Sequence, residues 1–363
     1  MNVIKNIILF VLLLSVIVSL HELGHLIAAK IFGVYCKEYS IGMGPKLFSI
    51  KGKETEYSLR ALPVGGFVAM AGDNDNTLET KVDTTNLPPE RTLTGIAKWK
   101  RVIIMMAGIM MNMLLAIFIY SMVILNAGTY AVGTAPIVNG VNENSPAMNA
   151  GFKAGDIIES VSFENGIKIK PNTYIELISF LNAYDGNGEW TFEVKRAEES
   201  LTIAVTPDYI EESQRYLIGI SFANGAIEFA DVNIFNCFKY GFEYAFFILR
   251  ITWSSLLTIF SGKNLNSLSG PVGIYSTVAE VSEQGLNVYL QLMAAISINV
   301  GIVNALPLPV FDGGRVLLLI IEMIIGKPLS EKAENFIMNT SVALLLALVL
   351  FVTFNDISKL IGG

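Results

Sequence analysis

The chain has 363 residues, of which 52% are hydrophobic and 16% are charged. Soluble domains carry about 25% charged residues, so this composition, with a mean hydropathy of +0.53, excludes a wholly soluble protein. The net charge of -7 argues against a nucleic-acid partner, which would require a basic surface. Cys36 and Cys237 lie far apart and form no paired ligand motif, so they are interpreted as ordinary small apolar residues.

The first apolar segment, Ile7 to Ala29, would be about 34 Å long as a helix and is predicted to cross a membrane. It continues past residue 20 without a small-residue cleavage site, which argues against a signal peptide. Both histidines of the chain lie in it, in the stretch His21-Glu22-Leu23-Gly24-His25. This spacing places the two imidazoles on one helix face, one turn apart, with Glu22 beside them. Because ionisable groups inside hydrocarbon are costly, the cluster indicates a functional site.

A short β element is predicted between the first two spans. Glu56 to Ala61 alternates as a strand does, Gly65 to Met70 follows a turn with proline, and Ile41 to Pro45 is rich in glycine. We expect an antiparallel element close to the membrane. Gly42 and Gly44 are compatible both with plain turn glycines and with a functional role.

Three further segments are long enough to span: Val102 to Asn126, Tyr289 to Phe311, and Phe336 to Phe354. Loop charges predict their orientation. Lys30 to Arg101 carries 11 Lys and Arg, whereas Ala127 to Tyr240 carries 7 against 15 Asp and Glu. The first loop is therefore expected on the cytoplasmic side and the second outside.

The external segment is predicted to be a β-rich soluble domain of about 90 residues, in the size range of a small domain. Its β-favouring runs are Pro136–Val141, Ile157–Phe163, Trp190–Lys195 and Leu201–Val205, with a helix predicted over Asn172–Asn182.

Phe235 to Phe260 is apolar but is interrupted by charges at roughly helical spacing, which is typical of an amphipathic helix at the membrane surface. If it crossed the membrane, Asp312 would emerge at the external face, far from His21. If it stays on the surface, Asp312 arrives near the depth of the histidines. We therefore expect four spans, with both termini outside.

A catalytic zinc usually has three protein ligands and a water. No third histidine exists, so the third ligand must be a carboxylate or Cys36. Asp312 is the best candidate, because it is the sole acidic residue between Tyr289 and Ile320. The prolines before it and the glycines after it suit non-helical backbone that lines a cavity.

Asn299 and Asn304 lie five residues apart, which is not one face of a straight helix. A kinked backbone would aim both amides at a substrate strand. The alternative is that they form hydrogen bonds between membrane helices.

The leading hypothesis is a zinc endopeptidase that acts within the bilayer, with Glu22 as general base. One rival is a membrane scaffold whose external domain captures peptide termini, although a scaffold needs no base. The other is a metal transporter, which would need ligands spaced along a path through the membrane.

HELGH in the first span, Asn304 to Gly314 (NALPLPVFDGG) near the third, and the external domain between spans two and three resemble the site-2 protease family. Within that family of zinc intramembrane proteases the chain resembles the bacterial RseP/RasP branch. The resemblance covers essentially the whole chain and includes Ile41–Pro45, Leu62–Met70 and Ser269–Ile274. Phe311 stands where the family usually has leucine, and one PDZ-sized segment is found where some members have two.

The resemblance implies that His21, His25 and Asp312 hold Zn²⁺, that Glu22 is the catalytic base, and that Asn299, Asn304, Gly42 and Gly44 handle substrate. It identifies Asn142–Ile158 as the signature of a PDZ domain. It also implies substrates that are single-span membrane proteins, such as anti-sigma factors or signal-peptide remnants, in the bacterial cytoplasmic membrane.

The expected fold is a polytopic α-helical membrane protein with four transmembrane helices, a membrane-associated β element and one extracytoplasmic PDZ-like β-rich domain. The expected divisions are 1–31, the first transmembrane helix; 32–97, the cytoplasmic-side β region and loop; 98–127, the second helix; 128–225, the PDZ-like domain; 226–286, the interfacial helix and SGPVG segment; 287–326, the third helix with FDGG; and 327–363, the fourth helix and C-terminus.

Overall fold

The structure is a computed structural model that describes residues 2–73, 82–133, 135–164, 168–171, 173–183, 188–210, 215–222, 227–260, 270–327 and 330–362. The chain divides into two compact units, Met1–Val123 with Ser269–Gly363, and Ile124–Leu268. The elements in chain order are α1 (Asn2–Ile31), β1 (Cys36–Lys51), β2 (Glu56–Met70), α2 (Lys98–Ala127), β3 (Thr129–Gly133), β4 (Val138–Val141), α3 (Pro146–Ala150), β5 (Ile157–Phe163), β6 (Lys168–Ile169), α4 (Tyr174–Ala183), β7 (Trp190–Arg196), β8 (Glu199–Val205), β9 (Asp208–Ile210), β10 (Arg215–Leu217), β11 (Ile220–Phe222), β12 (Ile227–Asp231), α5 (Cys237–Phe260), α6 (Pro271–Val281), α7 (Leu286–Ala305), α8 (Asp312–Ile325) and α9 (Glu331–Gly362).

Among the described residues, four helices are long and apolar enough to cross a membrane: α1, α2, α7 and α9. They coincide with the four predicted spans. The chain is therefore a multi-pass membrane protein. Helix α5 is also long, but it does not meet the same criterion, in keeping with the prediction that it is amphipathic.

The third span is shorter than predicted. Helix α7 ends at Ala305, and Leu306 is already extended, with φ -63° and ψ 146°. Pro307 and Pro309 cannot continue an α-helix because they lack the backbone N–H. After a short turn the chain starts α8 at Asp312, a helix that the sequence patterns did not predict. A Cβ at position 314 would lie 2.1 Å from the Leu308 carbonyl carbon, so this turn requires glycine.

Strands β1 and β2 pair antiparallel, as expected. Tyr39 has register partners at both Tyr57 and Val68, so this part of β1 is flanked by β2 on two sides. The pair packs along the second half of α1, where the Tyr39 hydroxyl donates to the Ser19 carbonyl at 2.8 Å and the Ser15 hydroxyl donates to the Pro63 carbonyl.

The outer surface of this β element is apolar. Large hydrophobic side chains are exposed along it: Met43, Leu47, Phe48, Ile50, Leu59 and Leu62. A contiguous exposed apolar surface of this kind marks an interaction site or a membrane contact.

Helix α6 is connected by hydrogen bonds to α1 and α9, the first and last helices. The Asp356 carboxylate on α9 accepts hydrogen bonds from the backbone N–H groups of Gly270 and Gly273, at 2.9 and 2.8 Å. At the other end of α6, the Ser282 hydroxyl donates to the Asn6 side-chain oxygen on α1 at 3.1 Å. Helix α6 therefore connects the first turns of α1 to the last turns of α9.

The second unit is β-rich, as predicted. A four-stranded sheet has the order β6-β5-β7-β8, and its core is formed by large buried side chains that include Phe152, Phe192 and Trp190. Ser145 caps α3 by accepting from the Met148 N–H, and α4 lies where the predicted helix was placed. Several two- to five-residue strands were not predicted, because runs this short carry too little periodicity to detect.

Candidate metal centre

Two helices bring three ligand atoms together. Helix α1 presents His21 and His25 one turn apart, and Asp312 is the first residue of α8. The Asp312 Oδ2 atom lies 3.1 Å from His21 Nε2 and 3.3 Å from His25 Nε2, and the two Nε2 atoms are 3.2 Å apart. The histidines are buried.

These spacings fit a zinc site. Donor atoms about 2.0 to 2.1 Å from zinc, at tetrahedral angles, lie about 3.3 to 3.4 Å from one another. The three observed distances are within 0.3 Å of that value, with the carboxylate supplying the one anionic donor. In the described part of the chain, no other group of His, Cys, Asp and Glu ligand atoms has this arrangement. Cys36, the alternative third ligand, lies apart from it, with its thiol directed to the Val34 carbonyl.

The second ring nitrogen of each imidazole, Nδ1, faces α2. His25 Nδ1 lies 2.8 Å from the Ile104 carbonyl oxygen, which requires that Nδ1 carry the proton. The Nε2 lone pair of His25 is then free for a metal, as is usual for metal-binding histidines. His21 Nδ1 lies 3.3 Å from the Asn112 side-chain amide.

Two glycines allow α1 and α2 to approach this closely. A Cβ at Gly24 would lie 2.4 Å from the Ala107 carbonyl oxygen. A Cβ at Gly108 would lie 2.4 Å from His25 Nε2 and 2.7 Å from His21 Cε1. Small residues at a crossing let membrane helices pack backbone to backbone, and here they also leave room for the imidazoles.

The ligands line a cavity of about 560 Å³. Glu22 lines it beside the histidines, and Phe67 to Met70 of β2 form one wall. A Cβ at Gly66, next to that wall, would lie 3.6 Å from Glu22 Cγ.

The predicted substrate residues divide into two pairs. Gly44 and Asn304 line the cavity, whereas Gly42 and Asn299 are not among its lining residues. Helix α7 includes both asparagines and is continuous from Leu286 to Ala305. Five residues rotate a helix by about 500°, which points the two side chains about 140° apart. Gly42 and Gly44 have φ of +85° and +81°, so both also have the turn conformation that favours glycine.

Three charged residues of the cavity were not predicted. Arg60, Asp73 and Arg315 line it, and Arg315 Nη1 lies 3.7 Å from Asp73 Oδ2. Arg60 is buried and contacts Glu38 at 2.8 Å. Burial alone would raise the pKa of Glu38, but hydrogen bonds from Ser58, Arg60 and Lys46 lower it below its usual value. A basic residue three positions after Asp312 was visible in the sequence, but nothing in the pattern indicated that it enters a cavity.

Comparison with known proteins identifies the family. The model of peptidase family M50 matches residues 9–348. The regulator of sigma-W protease RasP of Bacillus subtilis is 31% identical, over 98% of this chain and 99% of its own length. Zinc metalloproteases named RasP from Bacillus licheniformis and Geobacillus kaustophilus are 29% and 30% identical, each over 98% of this chain. The chain therefore belongs to peptidase family M50, the site-2 protease family, and is a zinc metalloprotease.

Proposed function

We propose that this protein is an intramembrane endopeptidase that hydrolyses peptide bonds within the transmembrane segments of single-span membrane proteins. The observation that carries the proposal is the meeting of His21, His25 and Asp312 at tetrahedral spacing, where both histidines and Glu22 belong to a helix long and apolar enough to span a membrane. A buried ionisable cluster on such a helix is costly unless it has a function.

His21, His25 and Asp312 would hold the zinc, and Glu22 would act as the general base. Bound zinc supplies Lewis acidity that makes a water molecule nucleophilic near neutral pH. The Glu22 carboxylate accepts the proton of that water and then delivers it to the nitrogen of the scissile amide as the peptide bond breaks. Arg60 and Arg315 also line the cavity, each paired with a carboxylate, Glu38 and Asp73 respectively.

A transmembrane helix must unwind before its carbonyl groups are accessible, and the unwound segment then needs new hydrogen-bond partners. Two features of the cavity suit an extended peptide. One is the wall formed by Phe67 to Met70 of β2, and the other is the Asn304 amide, which offers both a donor and an acceptor. We assign Asn304 and Gly44 to substrate binding, and Gly42 to the shape of the β element.

The topology follows from the charge pattern and is supported by the contacts of α6. Helix α6 connects the first turns of α1 with the last turns of α9, which is compatible with four spans. We propose that both termini and the PDZ-like domain are extracytoplasmic, that the β element lies at membrane depth beside α1, and that the membrane is the bacterial cytoplasmic one. The exposed apolar side chains of the β element would then contact lipid.

We propose single-span proteins that have already been shortened outside the membrane as substrates, such as anti-sigma factors or signal-peptide remnants. The name of the Bacillus subtilis relative, a regulator of sigma-W, supports the first class. The PDZ-like domain would limit access by the size of the substrate's external part.

Two substitutions test the proposal. Glu22→Gln should abolish cleavage of a co-expressed single-span reporter while the purified protein keeps its zinc, because the amide cannot accept a proton. Asp312→Ala should lose zinc as well as activity. Glu322→Gln, on the same helix as Asp312 but outside the cavity lining, is the matched control and should leave both unchanged. Cleavage that persists in the Glu22→Gln protein, or full zinc occupancy in the Asp312→Ala protein, would overturn the assignment.

A further inference from the structure

The side chain of Asn112 is fully buried in the middle of α2, at 0% exposure. One end of its amide faces His21, with Nδ2 3.3 Å from Nδ1 of the imidazole. The other end, Oδ1, is a buried oxygen that has no hydrogen-bond partner in the described part of the chain. Buried polar atoms are rarely left unpaired, so this oxygen requires an explanation.

The explanation is the position of the proton on the His21 imidazole. An imidazole that offers its Nε2 lone pair to a metal carries its proton on Nδ1, and this N–H needs an acceptor. In the recorded orientation, the Asn112 amide presents a second N–H to it. A carboxamide has the same shape after a half-turn about its last bond, which exchanges oxygen and nitrogen. That half-turn places the amide oxygen against the Nδ1–H of His21 and moves the amide N–H groups to the position that Oδ1 now occupies, so the tautomer of His21 decides the orientation.

We propose that Asn112 is the positioning residue of the metal centre, accepting the Nδ1–H of His21 through Oδ1 and thereby directing the Nε2 lone pair towards the zinc. The inference rests on the zinc site proposed above. It makes the two histidines alike, because the Ile104 carbonyl accepts the Nδ1–H of His25 in the same way. Both acceptors belong to α2, so one helix orients both imidazoles of another.

The position of Asn112 is itself held by a third helix. The Ser297 hydroxyl on α7 donates to the Asn112 backbone carbonyl at 2.9 Å. This bond does not involve the side-chain amide. Ser297 therefore provides a matched control, because its removal loosens the same junction without changing the acceptor that faces His21.

The test compares Asn112→Asp, Asn112→Leu and Ser297→Ala in the purified full-length protein. Each protein is loaded with zinc, and both its zinc content and its rate of zinc loss to a chelator are measured. Asp accepts hydrogen bonds but donates none, and Leu has a similar size but no polar atom. We expect the Leu variant to bind zinc about 10- to 100-fold more weakly, as other losses of partners behind metal ligands do. The Asp variant and the Ser297→Ala protein should resemble the wild type.

The opposite result for Asn112→Asp would overturn the inference. If the amide donated to His21, an aspartate would remove that bond, and the zinc would be lost as in the leucine variant. This comparison stands even if the leucine variant fails to fold. Wild-type retention of zinc in the same assay separates the two claims. If the wild type holds no zinc, the proposed function fails, and if it holds zinc while Asn112→Asp does not, only the role of Asn112 is wrong.

Discussion

The proposed metal centre depends on Gly108, which has no side chain, as much as on its three proposed ligands. Gly108 lies on α2 opposite the two histidines of α1. The space that a methyl group would occupy there is filled by His25 Nε2, at 2.4 Å, and by His21 Cε1, at 2.7 Å. A contact of this length cannot be accommodated without moving the imidazoles or separating the helices.

Gly108→Ala should therefore reduce zinc occupancy strongly, although alanine favours a helix more than glycine does. The measurement is zinc content and reporter cleavage for protein purified in detergent. Gly301→Ala is the control, since its added Cβ would make ordinary contacts of 3.7 Å with Asn112 Cβ and the Ile109 carbonyl oxygen. Full zinc occupancy in the Gly108→Ala protein would show that α1 and α2 do not pack as described.

At the scale of elements, the β pair is held by a buried ion pair. Arg60 donates to Glu38 Oε1 through Nη2 at 2.8 Å and through Nε at 3.2 Å. Its Nη1 donates to the Gly44 carbonyl at 2.7 Å, which links the ion pair to a residue of the cavity lining. The guanidinium also stacks on Phe67, 5.0 Å from the ring centre. This network connects Gly44 of β1 with Phe67 of the cavity wall beside Glu22.

Arg60→Met should lower the free energy of unfolding by about 3 kcal/mol, the low end of the range for breaking a buried pair. The low end applies because Lys46 Nζ still lies 3.1 Å from Glu38 Oε2. Equilibrium unfolding in detergent measures the effect. Lys53→Met, at an exposed turn position between the same strands, is the control and should change stability little. Equal stability of the two variants would contradict this account.

At the scale of the whole molecule, the topology that we propose has four spans and therefore both termini on one side, and the contacts of α6 with α1 and α9 are compatible with it. The charge of the loops then decides which side. The chain from Lys30 to Arg101 holds 11 Lys and Arg, whereas Ala127 to Tyr240 holds 15 Asp and Glu against 7 Lys and Arg. Basic loops remain on the cytoplasmic side during insertion.

Single cysteines test this orientation. Glu198→Cys, at an exposed turn between β7 and β8, should react with a membrane-impermeant maleimide on intact cells. Lys53→Cys, between β1 and β2, should react only after the membrane is permeabilised. The wild-type chain serves as the blank, because both native cysteines are buried. Labelling of Lys53→Cys on intact cells would reverse the proposed topology.

The amino-acid sequence determined those features that depend on local periodicity and composition. Helical spacing places His21, Glu22 and His25 together whatever surrounds them. Long apolar runs identified the four candidate spans, alternation identified part of β2, and β-favouring runs identified β5, β7 and β8 of the larger sheet. Asp312 was predicted as the third zinc ligand because it is the sole acidic residue between Tyr289 and Ile320.

Only the tertiary structure decided which side chains reach the metal centre from other helices. Asn112 is 91 positions from His21 and looked like one more polar residue in an apolar run. Asn299 and Asn304 looked equivalent, yet only Asn304 lines the cavity. The helix after Asp312 was not predicted, since its apolar run reads as a continuation of the third span. The physical reason is that backbone periodicity sets neighbours within an element, whereas the packing of faces, here permitted by Gly24 and Gly108, sets neighbours between elements.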